Sequence, residues 1–288
     1  MKKLFLFNIL FWGVLCLQSA NLFGSSVTMD EKEIDLNLIW ISMPYSSKGL
    51  SELPGPREGF NYNGKYLYTE IPKSWILLNK DVPIIVNIHW CVLSEDDQDR
   101  IKSIYSDLQS EYINAGFNIE FTEFKIEGDR FFQSMIDAGA HAGVLSDYLR
   151  LLIYFEKFVK SPTNRTYVYA DFDIEPFSFK SLLQSDRTYT EFPLNTFVSF
   201  LGENSFLSIP FEVIYFDTFR RYFEVDKKRF TQTLEEDKKN ISKHFEPLDS
   251  IFYTAVRDCN FDSQLPEDFV AESAEDLNIT SLDHATWR

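Results

Sequence analysis

Asp171, Phe172 and Asp173 set two carboxylates one residue apart, directly after the apolar and aromatic run Tyr167-Val168-Tyr169-Ala170. A run of that type holds its backbone in a sheet, so both acids leave the pleat at one fixed point. Carboxylate oxygens are the ligands that hard divalent cations such as Mg2+ and Mn2+ prefer, and Mg2+ is commonly held by one or two carboxylates together with substrate phosphates. Asp171 and Asp173 are therefore candidate metal ligands. Upstream, Ser146, Asp147 and Arg150 open an amphipathic helical pattern, and Asp147 and Arg150, three positions apart, share one helix face. Taken alone, a pair of acids one residue apart is far more often an ordinary solvated turn than a site, and Asp147 with Arg150 also fit an ordinary surface ion pair.

The elements that must position these residues read as alternating strands and helices. Residues 34–41 form a mostly apolar first strand, and 54–64, rich in Pro and Gly, a loop. A short segment around Trp75 and a turn at Asn79-Lys80-Asp81 precede a strand over 84–90. Ser94-Glu95-Asp96-Asp97 opens a helix as a capping box, with its apolar stripe at Ile101, Ile104, Tyr105, Leu108 and Tyr112 and its end at Gly116. A strand over 118–124, a helix over 131–138 and the helix from Gly143 lead into 167–170. Beyond the two acids, 196–200 reads as a strand, 211–223, 226–239 and 247–256 as helices, and the tail 262–288 as acidic and irregular. This alternation predicts a mainly parallel sheet with helices on both faces, and such sheets bind ligands beyond the carboxyl ends of their strands.

The composition is that of a globular chain: 288 residues, 44% hydrophobic and 25% charged, with 28 Phe. No linker splits it, and 25–288 reads as one domain. With 28 basic and 44 acidic residues the net charge is −16, which argues against nucleic acid or an anionic membrane as a partner, since both need clustered Lys and Arg. Lys2 and Lys3 followed by an apolar run over 4–17 have the form of a signal peptide occupying 1–24, too brief for a span of about 20 residues. Ala20 and Gly24 are both small enough to end it. Export follows, with membrane association only if the segment stays uncleaved. Cys16 lies in that segment; Cys91 and Cys259 remain, either paired or as two buried thiols. His89, His141, His244 and His284 lack zinc-ligand spacing with them.

The stretch 142–176 resembles the signature of the DxD-containing glycosyltransferases of the GT-A fold, the group that includes the large clostridial glucosylating toxins and the yeast initiating mannosyltransferases. There, small residues lead into Ser-Asp-x-x-Arg on a helix, then an aromatic strand, then Asp-x-Asp; here these are Ser146, Asp147, Arg150, Tyr169, Asp171 and Asp173. Trp40 resembles the family's first-strand Trp, the segment from Trp75 to Trp90 its next block, and Asn204-Ser205 its Asn near the sugar. His284-Ala285-Thr286-Trp287 resembles its closing His-x-x-Ser/Thr-Trp. One departure is plain: the family's tight Gly-Gly turn before the aromatic strand is replaced by Lys160-Ser161-Pro162-Thr163-Asn164-Arg165.

The resemblance implies an α/β fold of GT-A type, a Rossmann-like mixed but mainly parallel sheet flanked by helices. It implies retaining transfer of a sugar from a UDP- or GDP-sugar to a protein or glycan acceptor, with Mn2+ or Mg2+ as cofactor. Asp173, Asp171 and Thr286 would lie at the metal, and Asp147 and Arg150 would grip sugar hydroxyls. Trp40 would stack on the base, Ser146, Tyr169 and Asn204 would line the donor site, and Thr286 and Trp287 would close over the phosphates. An exported enzyme of this kind needs activated sugar where it works, which suggests a secreted bacterial effector acting inside a host cell. Two other classes fit the acids: a haloacid-dehalogenase-like phosphatase, whose motif normally lies near the domain's start and is followed by Gly-Thr-like residues rather than Ile174-Glu175-Pro176, and a catalytically silent GT-A-fold binding module. Read without the family, Trp40 is a core residue, Asn204 a turn residue and Trp287 a tail aromatic.

Overall fold

In the computed structural model the described residues are 33–42, 68–93, 98–125, 128–140, 142–160, 165–180, 192, 194, 196–199, 205–236, 271–274 and 276–281. The chain runs through β1 (Glu33–Ser42), a 3-10 turn (Tyr68–Glu70) continuing into α1 (Ile71–Leu78), β2 (Ile84–Val92), α2 (Gln98–Asn114), β3 (Ile119–Glu123), α3 (Arg130–Asp137), α4 (Ala142–Lys160), β4 (Arg165–Ala170), β5 (Phe197–Ser199), β6 (Phe206–Pro210), α5 (Val213–Glu236) and β7 (Ala271–Ser273). The strands form one mixed, mainly parallel sheet in the order β3-β2-β1-β4-β6-β5-β7. Among the described strands only β6 opposes its neighbours, running antiparallel to both β4 and β5.

Alternation along the strands sends two sets of side chains to two helical layers. Ile34, Leu36, Leu38, Val86, Ile88, Trp90, Val168 and Ala170 pack with Trp75 of α1 and with Ile101, Tyr105 and Tyr112 of α2. Ile39, Cys91, Tyr167, Tyr169, Leu207 and Ile209 face α3, α4 and α5. The expected stripe of the 98–114 helix is thus the buried one. α2 ends where the glycine rule places the stop, with Gly116 at a φ of 83° and the Phe117 N–H donating to the Tyr112 carbonyl at 2.9 Å. Asn79, in the expected turn, is buried and spans two elements. Its Nδ2 donates to the carbonyls of Trp75 and Phe177 at 2.8 and 2.9 Å, and its Oδ1 accepts from the Phe179 N–H at 2.8 Å. It thereby ties the chain that leaves β4 to the end of α1.

Three expectations are corrected. The 211–223 and 226–239 segments form one helix, α5, because Phe223-Glu224-Val225-Asp226 contains neither Gly nor Pro to stop it. The tail read as irregular supplies β7 and a bridge between Ile174 and Ser281. The short strand β6, FLSIP, was not expected, and it is buried along its whole length. The leader at 1–24, the loop at 54–64, the capping box at 94–97, most of the 160–165 connection, the 247–256 helix and Cys259 lie outside the described residues. Cys91 is a buried free thiol whose pKa is pushed up to about 12, by burial first and by Glu123 second, so it is inert as a nucleophile at neutral pH.

The α4 face of the sheet carries a polar ladder through an otherwise apolar layer. Oδ1 of Asp35 accepts from Lys157 Nζ at 2.5 Å, Asn87 Nδ2 at 2.9 Å and Asn37 Nδ2 at 3.1 Å, and Oδ1 of Asn37 faces His89 Nε2 at 2.8 Å. Because that Asn37 oxygen can only accept, His89 is the tautomer protonated at Nε2. Burial, then the Lys157 charge, lowers the His89 pKa from 6.5 to about 3. Between those values the unfolded chain binds more protons than the folded one, so this contribution to stability is lost as pH falls from 6.5 toward 3. From pH 7 to pH 5 the native protein is expected to lose about 2 kcal/mol more unfolding free energy than a His89→Gln variant. Urea titrations of both proteins at the two pH values check this, and equal losses would contradict it.

Candidate functional site

β1 is the strand at which the sheet's connections change direction: β2 and β3 lie on one side of it and β4 on the other. At such a switch the chain segments leaving neighbouring strands diverge and open a crevice beyond the carboxyl ends. The register shows where β4 parts from β1. Pairing of β1 with β4 is last made at Asn37 and Tyr169, whereas pairing of β1 with β2 continues to Ser42 and Val92. β1 therefore outlasts β4, and the two acids lie where β4 turns away.

That departure is tightly built. The Asp171 N–H donates to the Ser205 carbonyl at 2.7 Å, and the Asp171 carbonyl accepts from the Ile174 N–H at 3.0 Å, closing a four-residue turn. Asp171 is first in the turn and Asp173 third. Phe172 between them is buried and meets the half-buried Trp40 edge-on, with ring centroids 5.7 Å apart at 88°. Trp40 thus packs against the acidic turn at the end of β1. Asp173 is only 5% exposed. The far side of the turn is joined to the C-terminal segment, through the Ile174–Ser281 bridge and the Glu175 N–H to the Thr280 carbonyl at 3.0 Å.

The cluster expected on α4 faces this turn. Arg150 Nη2 lies 2.9 Å from Asp147 Oδ1, 2.7 Å from Ser146 Oγ and 3.9 Å from Asp171 Oδ1, while Nε donates to the Ser146 carbonyl at 3.2 Å. Its guanidinium lies over the Tyr169 ring, 4.3 Å from the centroid, and the Tyr169 hydroxyl donates to Asp171 Oδ1. Tyr167, two residues earlier on the same sheet face, donates its hydroxyl to the Arg150 carbonyl at 2.7 Å. The side chains of Arg150 and Asp147 are 3% and 12% exposed, so the surface-ion-pair reading of this pair is overturned.

The electrostatics follow from that enclosure. Burial works against the Arg150 charge, but Tyr169, Asp147 and Asp171 outweigh it, and its pKa lies above the ordinary arginine value. Burial, and then the Asp171 carboxylate against the opposing Arg150 charge, lifts the Tyr169 phenol well above its usual range. Tyr169 therefore keeps its proton and remains a donor to Asp171. The carboxylate is held from two sides, by a hydroxyl and by a cation.

Among the described residues, no group of three or more His, Cys, Asp or Glu side chains is placed to hold a metal ion. Within those residues the protein offers no closed four-ligand site of the zinc type. It offers two hard carboxylates in one turn where β4 parts from β1, a donor set that suits a cation sharing its shell with water and phosphate oxygens.

The structure brings Ser146, Asp147, Arg150, Tyr169 and Asp171 together, with Asp173 in the same turn and Trp40 against it. Asn204, Thr286 and Trp287 lie outside the described residues. Sequence reasoning missed Tyr167 as the second anchor of Arg150, although its spacing from Tyr169 put both rings on one strand face. It also missed Ser205 as the residue whose carbonyl fixes Asp171, a backbone contact that residue type does not reveal.

No protein-family model matches the chain, and no curated protein does. Among solved structures, it is similar to an active-site mutant of LgtC, at 13% identity and a TM-score of 0.41, over 83% of this chain and 73% of that one. It is also similar to a glycosyltransferase involved in the glycosylation of the major capsid of PBCV-1, at 8% identity and a TM-score of 0.24, over 84% of this chain and 82% of that one.

Proposed function

We propose that the chain is a metal-dependent glycosyltransferase that moves a sugar from a UDP- or GDP-sugar to a protein or glycan acceptor. One observation carries this reading: the Asp171–Asp173 turn stands at the switch point of the sheet with the Ser146, Asp147 and Arg150 cluster locked to it through Tyr169. Asp173 and Asp171 would hold Mn2+ or Mg2+, with Thr286, outside the described residues, a further ligand on the family resemblance alone. A divalent cation bound there neutralises charge on the departing nucleoside diphosphate.

The chain's own residues do the positioning. Trp40 offers the base an indole at the end of β1. Asp147, more exposed than Arg150, is the group that reaches sugar hydroxyls. Arg150 and Ser146 hold it in place, and Arg150 also steadies Asp171. Tyr169 sets the orientation of Asp171, and Asn204 and Trp287 extend the donor site. Retention of anomeric configuration belongs to the same reading. The Lys2-Lys3 and apolar 4–17 pattern supports export, and with it the role of a secreted effector modifying a host acceptor.

The test is donor hydrolysis by the purified chain with Mn2+ across a panel of UDP- and GDP-sugars. Turnover of one donor that EDTA abolishes is expected. Hydrolysis of a phosphomonoester instead would replace this reading with that of a phosphatase. Silence on every donor, together with tight partner binding, would replace it with a binding module.

A further inference from the structure

The α4 turn that carries Ser146, Asp147 and Arg150 is gripped from its inner side by Tyr167 and Tyr169 of β4. Its outer side is gripped as well. Tyr148, the residue after Asp147, is 1% exposed and stacks on Phe223 of α5, with centroids 5.3 Å apart at 19°. On its other flank it meets Phe131 of α3, at 5.1 Å and 46°. The ammonium of Lys227, one helical turn beyond Phe223 on α5, lies 5.2 Å from the Phe131 centroid, 5.5 Å from that of Phe223 and 5.8 Å from that of Tyr148. Each distance is within the roughly 6 Å at which a ring face attracts a cation. Among the described residues no carboxylate pairs with this ammonium, so the three rings are its partners.

The cage is also tied down at its base. The Tyr148 hydroxyl donates to Asp129 Oδ2 at 2.6 Å, and Asp129 Oδ1 caps α3 by accepting from the N–H groups of Phe131 and Phe132, each at 3.0 Å. One side chain, Tyr148, thus joins the start of α3, the second turn of α4 and the cation of α5.

We infer that Lys227, caged by Phe131, Tyr148 and Phe223, is a positioning residue of the candidate site, fixing from outside the α4 turn that presents Asp147 and Arg150. The kinetic part of this inference rests on the proposed transferase activity; the structural part does not. Lys227→Met keeps the length and the apolar stem of the side chain and removes the cation, whereas Lys227→Arg restores a cation over the rings.

Amide hydrogen exchange on the full chain reads the coupling directly. In Lys227→Met, exchange at residues 144–151 is expected to be about tenfold faster than in the native protein, in line with the loss of a partly desolvated cation–π contact. Lys227→Arg is expected to match the native protein. Phe131→Leu, which removes the cage's half-buried ring, should reproduce the Met result and serves if Lys227→Met does not fold. Faster exchange confined to α5, or an Arg variant that behaves like Met, overturns the inference. Where the native protein turns over a donor, Lys227→Met should lower kcat about tenfold with KM within twofold, and equal loss in the Arg variant again overturns it. If the native protein turns over none, the transferase reading fails on its own and the exchange result still decides the role of Lys227.

Discussion

Replacing Asp173 by alanine is expected to lower metal-dependent donor turnover by about three orders of magnitude. A divalent cation at a leaving diphosphate contributes several kcal/mol to the reaction, and each ~1.4 kcal/mol is tenfold in rate. Asp173 is the acid whose loss should matter most, because Asp171 is already engaged by the Tyr169 hydroxyl and by Arg150. Asp171→Asn keeps an acceptor for Tyr169 but not the charge beside Arg150, and is expected to lose less. Initial-rate assays with saturating Mn2+ check the ranking. Melts with Mn2+ plus UDP and with Mn2+ plus GDP check the cause, since ligand at a hundred times its Kd stabilises by about 2.7 kcal/mol and Asp173→Ala should lose that increment. Turnover within tenfold of native would sink the assignment of Asp173.

The largest expected loss of stability lies in the ladder beneath α4. Asp35→Ala is expected to cost about 3 kcal/mol, because one deletion strands a largely buried ammonium and the Asn87 amide at once, while Asn37 Nδ2 keeps the Asp35 carbonyl at 2.7 Å. That figure sits at the low end for a broken buried pair, since the Lys157 side chain keeps 21% of its exposure and water screens part of the loss. For a chain of this length it corresponds to a fall in Tm of roughly 5 °C. A double-mutant cycle with Lys157→Met isolates the pair: the double variant should be clearly more stable than the sum of the single losses. Additive losses would mean that the two side chains do not act as a unit.

The legible part of this fold was what the chain writes locally. The apolar 34–41 run, the Ile101–Tyr105–Tyr112 stripe and the strand ending at Ala170 each stand where periodicity put them. β6 was hidden because a buried five-residue strand has no alternation to show, and β7 because only a partner strand makes Ala271–Ser273 a strand at all. The same division runs through the candidate site. Ser146, Asp147, Arg150 and Asp171 were readable as residue types at a spacing. Their enclosure was not, since the burial of Arg150 depends on Tyr167 and Tyr169 arriving from another element. Asp35, Asn37, Asn87 and His89 were read as parts of apolar strands, and only the approach of Lys157 makes them a connected polar array. The cation of Lys227 likewise finds its rings on three separate helices.

The ladder has a consequence for the order in which the chain can fold. Asp35 and Lys157 are 122 residues apart in sequence, while Asp35 and Asn87 are only 52 apart. Synthesis therefore delivers the acid and its amide donors long before the cation. β1, β2 and β3 can associate as they emerge, but the face that α4 will cover stays open, and an acid sits in it unmatched. Closing contacts of that separation is slow, and here the last partner to arrive also completes the charge balance of the interior. Docking of α4 supplies that partner, and the same contact sets Asp147 and Arg150 against Asp171, so covering the polar ladder and assembling the candidate site are one step.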